Sequence, residues 1–233
     1  MFAIKKLQKG RQRMAENEVI FLQKVKSEYV LRLFDYNLLA EPFILLELAE
    51  CSLQEVLRGS RPNEKETKRY AGQILKAVDF CHERNVCHND LKADNILLVK
   101  GQIKLGDFGI ASEIDCQGKS LLQFNLCCHI ASPEKLEAFK RITGRSTHKS
   151  ASMSASYSAR EADIWSLGIL FYKMVTDRSP YLLNSELDII WCPEFRKRSL
   201  AVSPKFDKML SLIFNSPIAK MEQLMRSEWL NCH

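Results

Sequence analysis

The stretch CHNDLKADNILL, Cys87 to Leu98, decides how this chain is read. It sets His88, Asp90, Lys92 and Asn95 at fixed offsets and closes on the apolar run Ile96, Leu97, Leu98. A short apolar run of this kind predicts a buried strand. An acid, an ammonium, an amide and an imidazole are thereby gathered just before that strand. The question is which reaction uses such a cluster.

Working outward, Asn95–Val99 and Gln102–Gly106 read as two short strands around Lys100-Gly101, a hairpin turn. Upstream, Arg61 to Arg84 opens with Pro62 and Asn63, and Glu66 follows three residues on, a capping-box pattern. Tyr70, Ile74, Val78 and Cys81 give that helix its buried stripe. Nearer the start, Met1–Leu7 alternates as a strand, and Arg13–Lys26 has helical spacing through Val19, Leu22 and Val25. Val30–Leu38 and Pro42–Ala49 read as two more strands, followed by a short helix over Leu53–Arg58. Ala162–Val175 is apolar nearly all round and predicts a central buried helix. Lys140–Arg160 is rich in Ser, Thr and basic residues and predicts a surface loop, with Thr143–Ser158 read as a spacer rather than a regulator. A small strand-rich portion therefore precedes a larger helical one, and the polar cluster falls just after the join.

At 233 residues and 46% hydrophobic, the chain can bury the core of one domain or of two small lobes. Its 34 Lys+Arg against 28 Asp+Glu make it mildly basic, with no like-charge run long enough for a nucleic-acid tail. Phe195–Arg198, the densest basic spot, reads as a solvated patch. Eight cysteines without a CxxC pair read as reduced thiols, which places the protein in cytoplasm or nucleus. Cys127, Cys128 and His129 are adjacent, but a zinc site needs a second cluster and none is evident. The first residues are too briefly apolar for a signal peptide, and no apolar run reaches about eighteen residues. The expected protein is soluble, with neither a membrane nor a nucleic acid as partner.

From about Ala3 to Leu230 the chain resembles a eukaryotic protein kinase of the serine/threonine type, with the family's segments in order. Phe2–Lys5 resembles the strand of the ATP-anchoring lysine, Lys5. Glu16–Val25 resembles the helix whose glutamate pairs with that lysine, and its phase favours Glu18 over Glu16. His88–Asn95 resembles the catalytic loop, Asp107–Gly109 the magnesium-binding turn, Ser132–Glu134 the end of the activation segment, and Asp163–Gly168 the central helix. The resemblance implies an α+β, two-lobed fold forming one kinase domain over residues 1–233. A truncated strand-rich N-lobe (1–47) and a hinge (48–52) would precede a reduced helical C-lobe (53–233).

It also implies roles. Phosphoryl transfer through a loose, in-line transition state asks for positioning and charge neutralisation more than covalent help. Asp90 would accept the substrate hydroxyl proton, and Lys92 would meet the charge of the transferring group. Asn95 and Asp107 would hold Mg²⁺ through oxygen. Lys5, fixed by Glu18, would hold the α/β-phosphates of ATP. Backbone groups of Glu47 and Ala49 would bond the adenine, with Leu46 facing the pocket. His88 would brace the loop, Phe108 would pack into the core, and Gly109 would permit the turn.

The chain departs from the family pattern at four places. Only four residues precede Lys5, so the glycine-rich hairpin that roofs the nucleotide lies outside this sequence. Losing two hydrogen bonds to charged groups, at roughly 1.5–3 kcal/mol each, predicts about 10²–10⁴ in lost nucleotide affinity and reduced activity. Asn89 stands where many kinases carry the arginine that grips a phosphorylated activation loop. Between Asp107 and Glu134 the only Ser, Thr or Tyr residues are Ser112, Ser120 and Ser132, so no activating phosphorylation is expected. Cys127 replaces a threonine that bonds the catalytic pair, and a thiol is a weak donor. Glu134 expects a cation near the C-terminus, where Lys220 is best placed and lacks an arginine's fork.

The expected activity is transfer of the ATP γ-phosphate to Ser/Thr hydroxyls of proteins, because Lys92 in DLKxxN resembles serine/threonine kinases. Phe80–Leu98, Met174–Tyr181 and Ser185–Ile190 look most like the cell-division (cyclin-dependent) group, which suggests a role in cell-cycle control. A protein substrate is implied. A cyclin-like or other regulatory protein on the Glu18 helix stays open, since Arg13–Leu22 lacks that group's contacting motif. One rival is a pseudokinase-like scaffold with weak or no ATP binding, which the retention of Lys5, Asp90, Lys92, Asn95 and Asp107 argues against. A small-molecule kinase is the other, and the Ser132–Glu134 segment argues against it.

Overall fold

Alternation of Phe2, Ile4 and Lys6 against Ala3 and Lys5 makes Phe2–Lys6 a strand, β1, with the second set turned toward the interior. In the computed structural model, which describes residues 1–7, 10–39, 41–59, 62–122, 127–144, 155–192, 195, 203–215 and 220–231, β1 pairs antiparallel with β3 (Phe43–Glu47). The register sets Lys5 opposite Ile44. β2 (Leu33–Asn37) flanks β3 on its other side, giving the order β1-β3-β2. Helix α1 (Gln12–Lys24) buries Ala15, Glu18, Val19, Phe21 and Leu22. A buried glutamate among these apolar residues needs a cation.

The helical portion starts with α2 (Leu53–Gly59) and α3 (Glu64–Glu83). The expected capping box is present: Asn63 Oδ1 accepts from Glu66 N–H at 3.0 Å, and Glu66 Oε2 accepts from Asn63 N–H at 3.2 Å. Such a cap contributes about 1 kcal/mol. The α3 stripe of Tyr70, Ile74, Val78 and Cys81 is buried beside the nearly all-buried α5 (Ala159–Thr176). Helix α6 (Pro204–Asn215) comes so close to α5 that a Cβ on Gly168 would lie 2.6 Å from Ile213 Cγ2. Glycine is therefore what lets these two helices touch. Two short helices, α7 (Met221–Met225) and α8 (Glu228–Asn231), close the far side against α3.

Between these helices lie β4 (Cys51–Ser52), β6 (Ile96–Val99) and β7 (Gln102–Leu105), ordered β4-β6-β7. The β6–β7 turn has φ of +51° at Lys100 and +71° at Gly101, as a tight hairpin requires. The hinge expected over 48–52 thus ends in a strand that belongs to the helical portion's sheet. The two portions are joined at Tyr29–Leu31, where Leu31 N–H donates to the Leu105 carbonyl and Leu105 N–H to the Tyr29 carbonyl, both at 2.9 Å. One apolar cluster runs through both, from Val19 and Leu22 to Ile74 and Leu167.

The long polar loop expected over Lys140–Arg160 needs correction at both ends. Lys140 to Ile142 finish helix α4 (Pro133–Ile142), and Ser156–Ser158 form β10, paired with β9 (Lys119–Leu121). Tyr157 is buried there, so this end is core rather than spacer. Residues 145–154 of that stretch, and 196–198 of the basic patch, lie outside the described residues. Smaller pairs are β5 (Val86–Cys87) with β8 (Ser112–Glu113), and β11 (Tyr181–Leu183) with β12 (Ile189–Trp191). Among the described residues no helix is long and apolar enough to cross a membrane.

Candidate active site

The loop after β5 is set by a carboxylate buried beneath it. Asp163, in the first turns of α5, accepts from His88 N–H and Asn89 N–H at 2.9 Å each, and His82 Nε2 lies 3.0 Å from its Oδ2. Burial alone would raise this carboxyl; the hydrogen bond and charge of His82, with His88 and Lys135, overcome it and hold it below the ordinary value. Asn89 then takes a left-handed φ of +68°, an uncommon backbone conformation for a non-glycine residue, directly before Asp90. His88 Nε2 donates to the Gly106 carbonyl at 2.9 Å and Nδ1 accepts from Asp90 N–H at 3.3 Å. Both ring nitrogens are committed, so His88 braces the loop as expected.

Asp90 Oδ2 accepts from Lys92 Nζ at 2.7 Å and from Asn95 Nδ2 at 2.8 Å, and Asn95 Nδ2 also reaches the Asp90 carbonyl at 2.9 Å. The other oxygen, Oδ1, is buried and has no hydrogen-bond partner among the described residues. An orphaned buried acceptor is costly, and its persistence points to a group that completes the site. Burial works against the Lys92 ammonium, but the hydrogen bond and charge of Asp90 overcome it and raise its pKa, so Lys92 remains a cation.

The second cluster comes from the strand-rich portion. Lys5 Nζ lies 2.7 Å from Glu18 Oε2 and 3.1 Å from Asp107 Oδ1, although 102 residues separate Lys5 from Asp107. Burial raises the Glu18 carboxyl despite Lys5, and Glu18 Oε1 has no hydrogen-bond partner among the described residues. Burial also pushes Asp107 up, but the Lys5 charge and hydrogen bond hold its pKa below the usual carboxylate value. Asp107 adopts φ of +58°, a strained position of the kind that clusters at functional sites. The Phe108 ring is fully buried 4.6 Å from the His88 ring, which links this turn to the Asp90 loop. The side chains of Lys5 and Asp107 remain 39% and 42% exposed, so a polyanion can reach them.

Leu46 is buried on β3 as part of the apolar core. Glu47 is more constrained than the sequence suggested. Its N–H donates to the Arg32 carbonyl at 2.8 Å and its carboxylate takes Lys104 Nζ at 2.7 Å, so a backbone bond to a ligand falls to its carbonyl. Ala49 follows in the connector, half-buried against the core. Glu134 Oε2 accepts from Ser158 N–H at 3.1 Å, a backbone partner in place of the Lys220 cation offered by sequence. Burial and the nearby Asp90 carboxylate push the Cys127 thiol up, keeping it protonated.

Three contributors were not visible in advance. Asn17 on α1 donates to three carbonyls after Asp107, and Lys135 and Tyr157 converge on Asn89. Asp163 had a signal that went unused, since a carboxylate in an apolar helix must be paired. Asp163 also approaches His82 and Cys87 within 4.8 Å, but burial holds the Cys87 thiol well above its ordinary value and the acid's oxygens are already engaged. That triad is structural. A groove of about 850 Å³ lined by Leu22, Lys26, Arg32, Phe34, Glu47 and Lys104 lies apart from the Lys5–Asp107 and Asp90 clusters.

Over residues 1–223 the sequence matches the family model described as protein kinase domain. The chain belongs to the protein kinase family. This kinase domain is 30% identical over 240 residues to the mitosis inducer protein kinase cdr2 of Schizosaccharomyces pombe, covering 97% of the chain and 28% of that protein. It is 31% identical over 173 residues to the serine/threonine-protein kinase mph1 of the same organism, covering 71% of the chain and 25% of the relative. The dual specificity protein kinase TTK of Mus musculus is 29% identical over 171 residues, covering 71% of the chain and 19% of the relative. The domain therefore spans less than a third of each of these relatives.

Proposed function

We propose that this domain transfers the γ-phosphoryl group of ATP to a serine or threonine hydroxyl of a protein substrate. The observation that carries the reading is Asp90: Oδ2 is tied by Lys92 and Asn95, and Oδ1 is buried and, among the described residues, unpartnered. A substrate hydroxyl satisfies Oδ1, gives up its proton to Asp90, and forms a bond from its oxygen to the γ-phosphorus as the bond to the β-phosphate oxygen breaks and ADP leaves. Lys92 meets the charge on the phosphoryl oxygens. Lys5, oriented by Glu18, holds the α/β-phosphates, and the Glu47 carbonyl and Ala49 backbone take the adenine.

The donor set suits a hard cation. Asn95 commits Nδ2 to Asp90, which leaves Oδ1 as its ligand atom, and Asp107 adds a carboxylate. Mg²⁺ held there supplies neutralisation of the triphosphate charge. Lys92 within DLKxxN and the similarity to the serine/threonine-protein kinase mph1 support the hydroxyl class, and the similarity to a mitosis inducer kinase supports a place in cell-cycle control. Free thiols at Cys51, Cys81, Cys87, Cys116, Cys127, Cys128 and Cys192 suit cytoplasm or nucleus.

Phosphorylation of a Ser/Thr peptide library and of a Tyr library, with Asp90→Asn as control, tests the reading. Ser/Thr labelling that disappears in the variant is expected. Retained labelling in the variant removes Asp90 as the acceptor of the substrate proton, and no MgATP-dependent thermal shift in the parent moves the domain to the scaffold reading.

A further inference from the structure

Resting on the kinase reading, we propose that Asn17 is a positioning residue that latches α1 to the activation segment, so that the chain holds Glu18 on Lys5 without a seated partner. The Asn17 Nδ2 group donates to the carbonyls of Phe108, Gly109 and Ala111 at 3.3, 3.1 and 2.9 Å. One side-chain amide thus gathers three carbonyls of the turn that carries Asp107. Asn17 also immediately precedes Glu18, whose carboxylate lies 2.7 Å from Lys5. The amide therefore ties the helix of the ion pair to the turn of the acid that shares its lysine.

Two further contacts lie along the same side of α1. A Cβ on Gly109 would sit 3.4 Å from Met14 Cε and 3.5 Å from the Met14 carbonyl, so helix and turn are in van der Waals contact. Lys24 Nζ meets Glu113 Oε1 at 2.6 Å across 89 residues. Met14, Asn17 and Lys24 are spaced by three and seven residues, which places them on one stripe of a helix. The stripe touches Gly109, the 108–111 carbonyls and Glu113 in chain order. The inward seat of α1, which a cyclin-like protein was left open to supply, is built from the chain's own groups.

Asn17→Ala removes the donor, and the near-isosteric Asn17→Asp turns a carboxylate toward three carbonyl oxygens. In both, kcat is expected to fall by about tenfold, corresponding to about 1.4 kcal/mol, with the KM for peptide unchanged and the unfolding temperature lowered but the chain still folded. Hydrogen exchange of the unliganded chain supplies a readout independent of activity: amides of 107–113 and of α1 should exchange faster together, while those of α3 do not. Parent-like exchange at 107–113 in both variants overturns the latch. An inactive parent overturns the kinase reading instead, and the exchange data still decide the latch.

Discussion

Asn89 and Lys135, 46 residues apart, meet in the interior: Lys135 Nζ donates to Asn89 Oδ1 at 3.0 Å and to its carbonyl at 3.3 Å. Lys135 is 4% exposed, and its ammonium also lies 4.9 Å from the centroid of the Tyr157 ring, whose hydroxyl donates to Asn89 Oδ1 at 2.5 Å. Asn89 Nδ2 completes the set by donating to Ser112 Oγ at 2.8 Å and the Ile110 carbonyl at 3.1 Å. Where an arginine would wait for a phosphate, the chain has a closed polar network directly behind Asp90.

Lys135→Met should therefore cost about 1–3 kcal/mol, because Asn89 loses a donor to both of its oxygens in a buried site. That corresponds to roughly 2–4 °C per kcal/mol in a domain of this size. Thermal unfolding measures it, and an unchanged midpoint would remove Lys135 from the network. Activity should drop along with stability, since Asn89 sets the backbone of Asp90.

Ser120 is 6% exposed and donates to Ser112 Oγ at 2.7 Å. A phosphate there would have no room and would break the hydroxyl pair that reaches Asn89. Ser120→Glu should lower activity several-fold, whereas Ser120→Ala stays near the parent. A phosphoserine at this position that raised activity would contradict the closed network.

Asp163 governs acid stability. Its folded pKa lies below its unfolded value, so its contribution is complete above about pH 3.9 and is lost as pH falls through the depressed value. Urea midpoints of the parent should fall steeply below that pH. Asp163→Asn should cost about 3 kcal/mol or more at neutral pH, because His82 and the His88 and Asn89 amides lose the buried carboxylate they bond, and its midpoint should vary less with acid.

Asp107→Asn should abolish the MgATP-induced thermal shift while leaving the unliganded unfolding temperature within a few degrees, since its half-exposed carboxylate carries ligand rather than core. Lys5→Met should lose the same shift and also destabilise, because Glu18 would keep a buried carboxyl with no cation. Glu18→Gln added to Lys5→Met should recover part of that loss. A double variant no more stable than Lys5→Met would mean that the pair is not coupled.

The strands and helices up to Leu105, the central helix over Ala162–Val175, the Asn63–Glu66 cap, the Lys100-Gly101 turn and the pairing of Lys5 with Glu18 were legible in sequence, whereas the helices Pro133–Ile142 and Pro204–Asn215 were not read from it. The legible signals are local: hydrophobic period, cap chemistry and short runs such as His88–Asn95 whose spacing survives in any context. The small pairs β5–β8 and β9–β10 were not legible, because two or three residues carry no period and pair only when distant segments arrive. Nor were the partners of Asn17, Asn89 and Glu134, since a side-chain amide or an isolated charge looks the same in sequence whether it faces water or a carbonyl. Sequence alone determined which groups the chemistry has available. Tertiary structure decided what holds them in place, because hydrogen bonds between residues 46 to 102 apart exist only after the core brings those segments within about 3 Å.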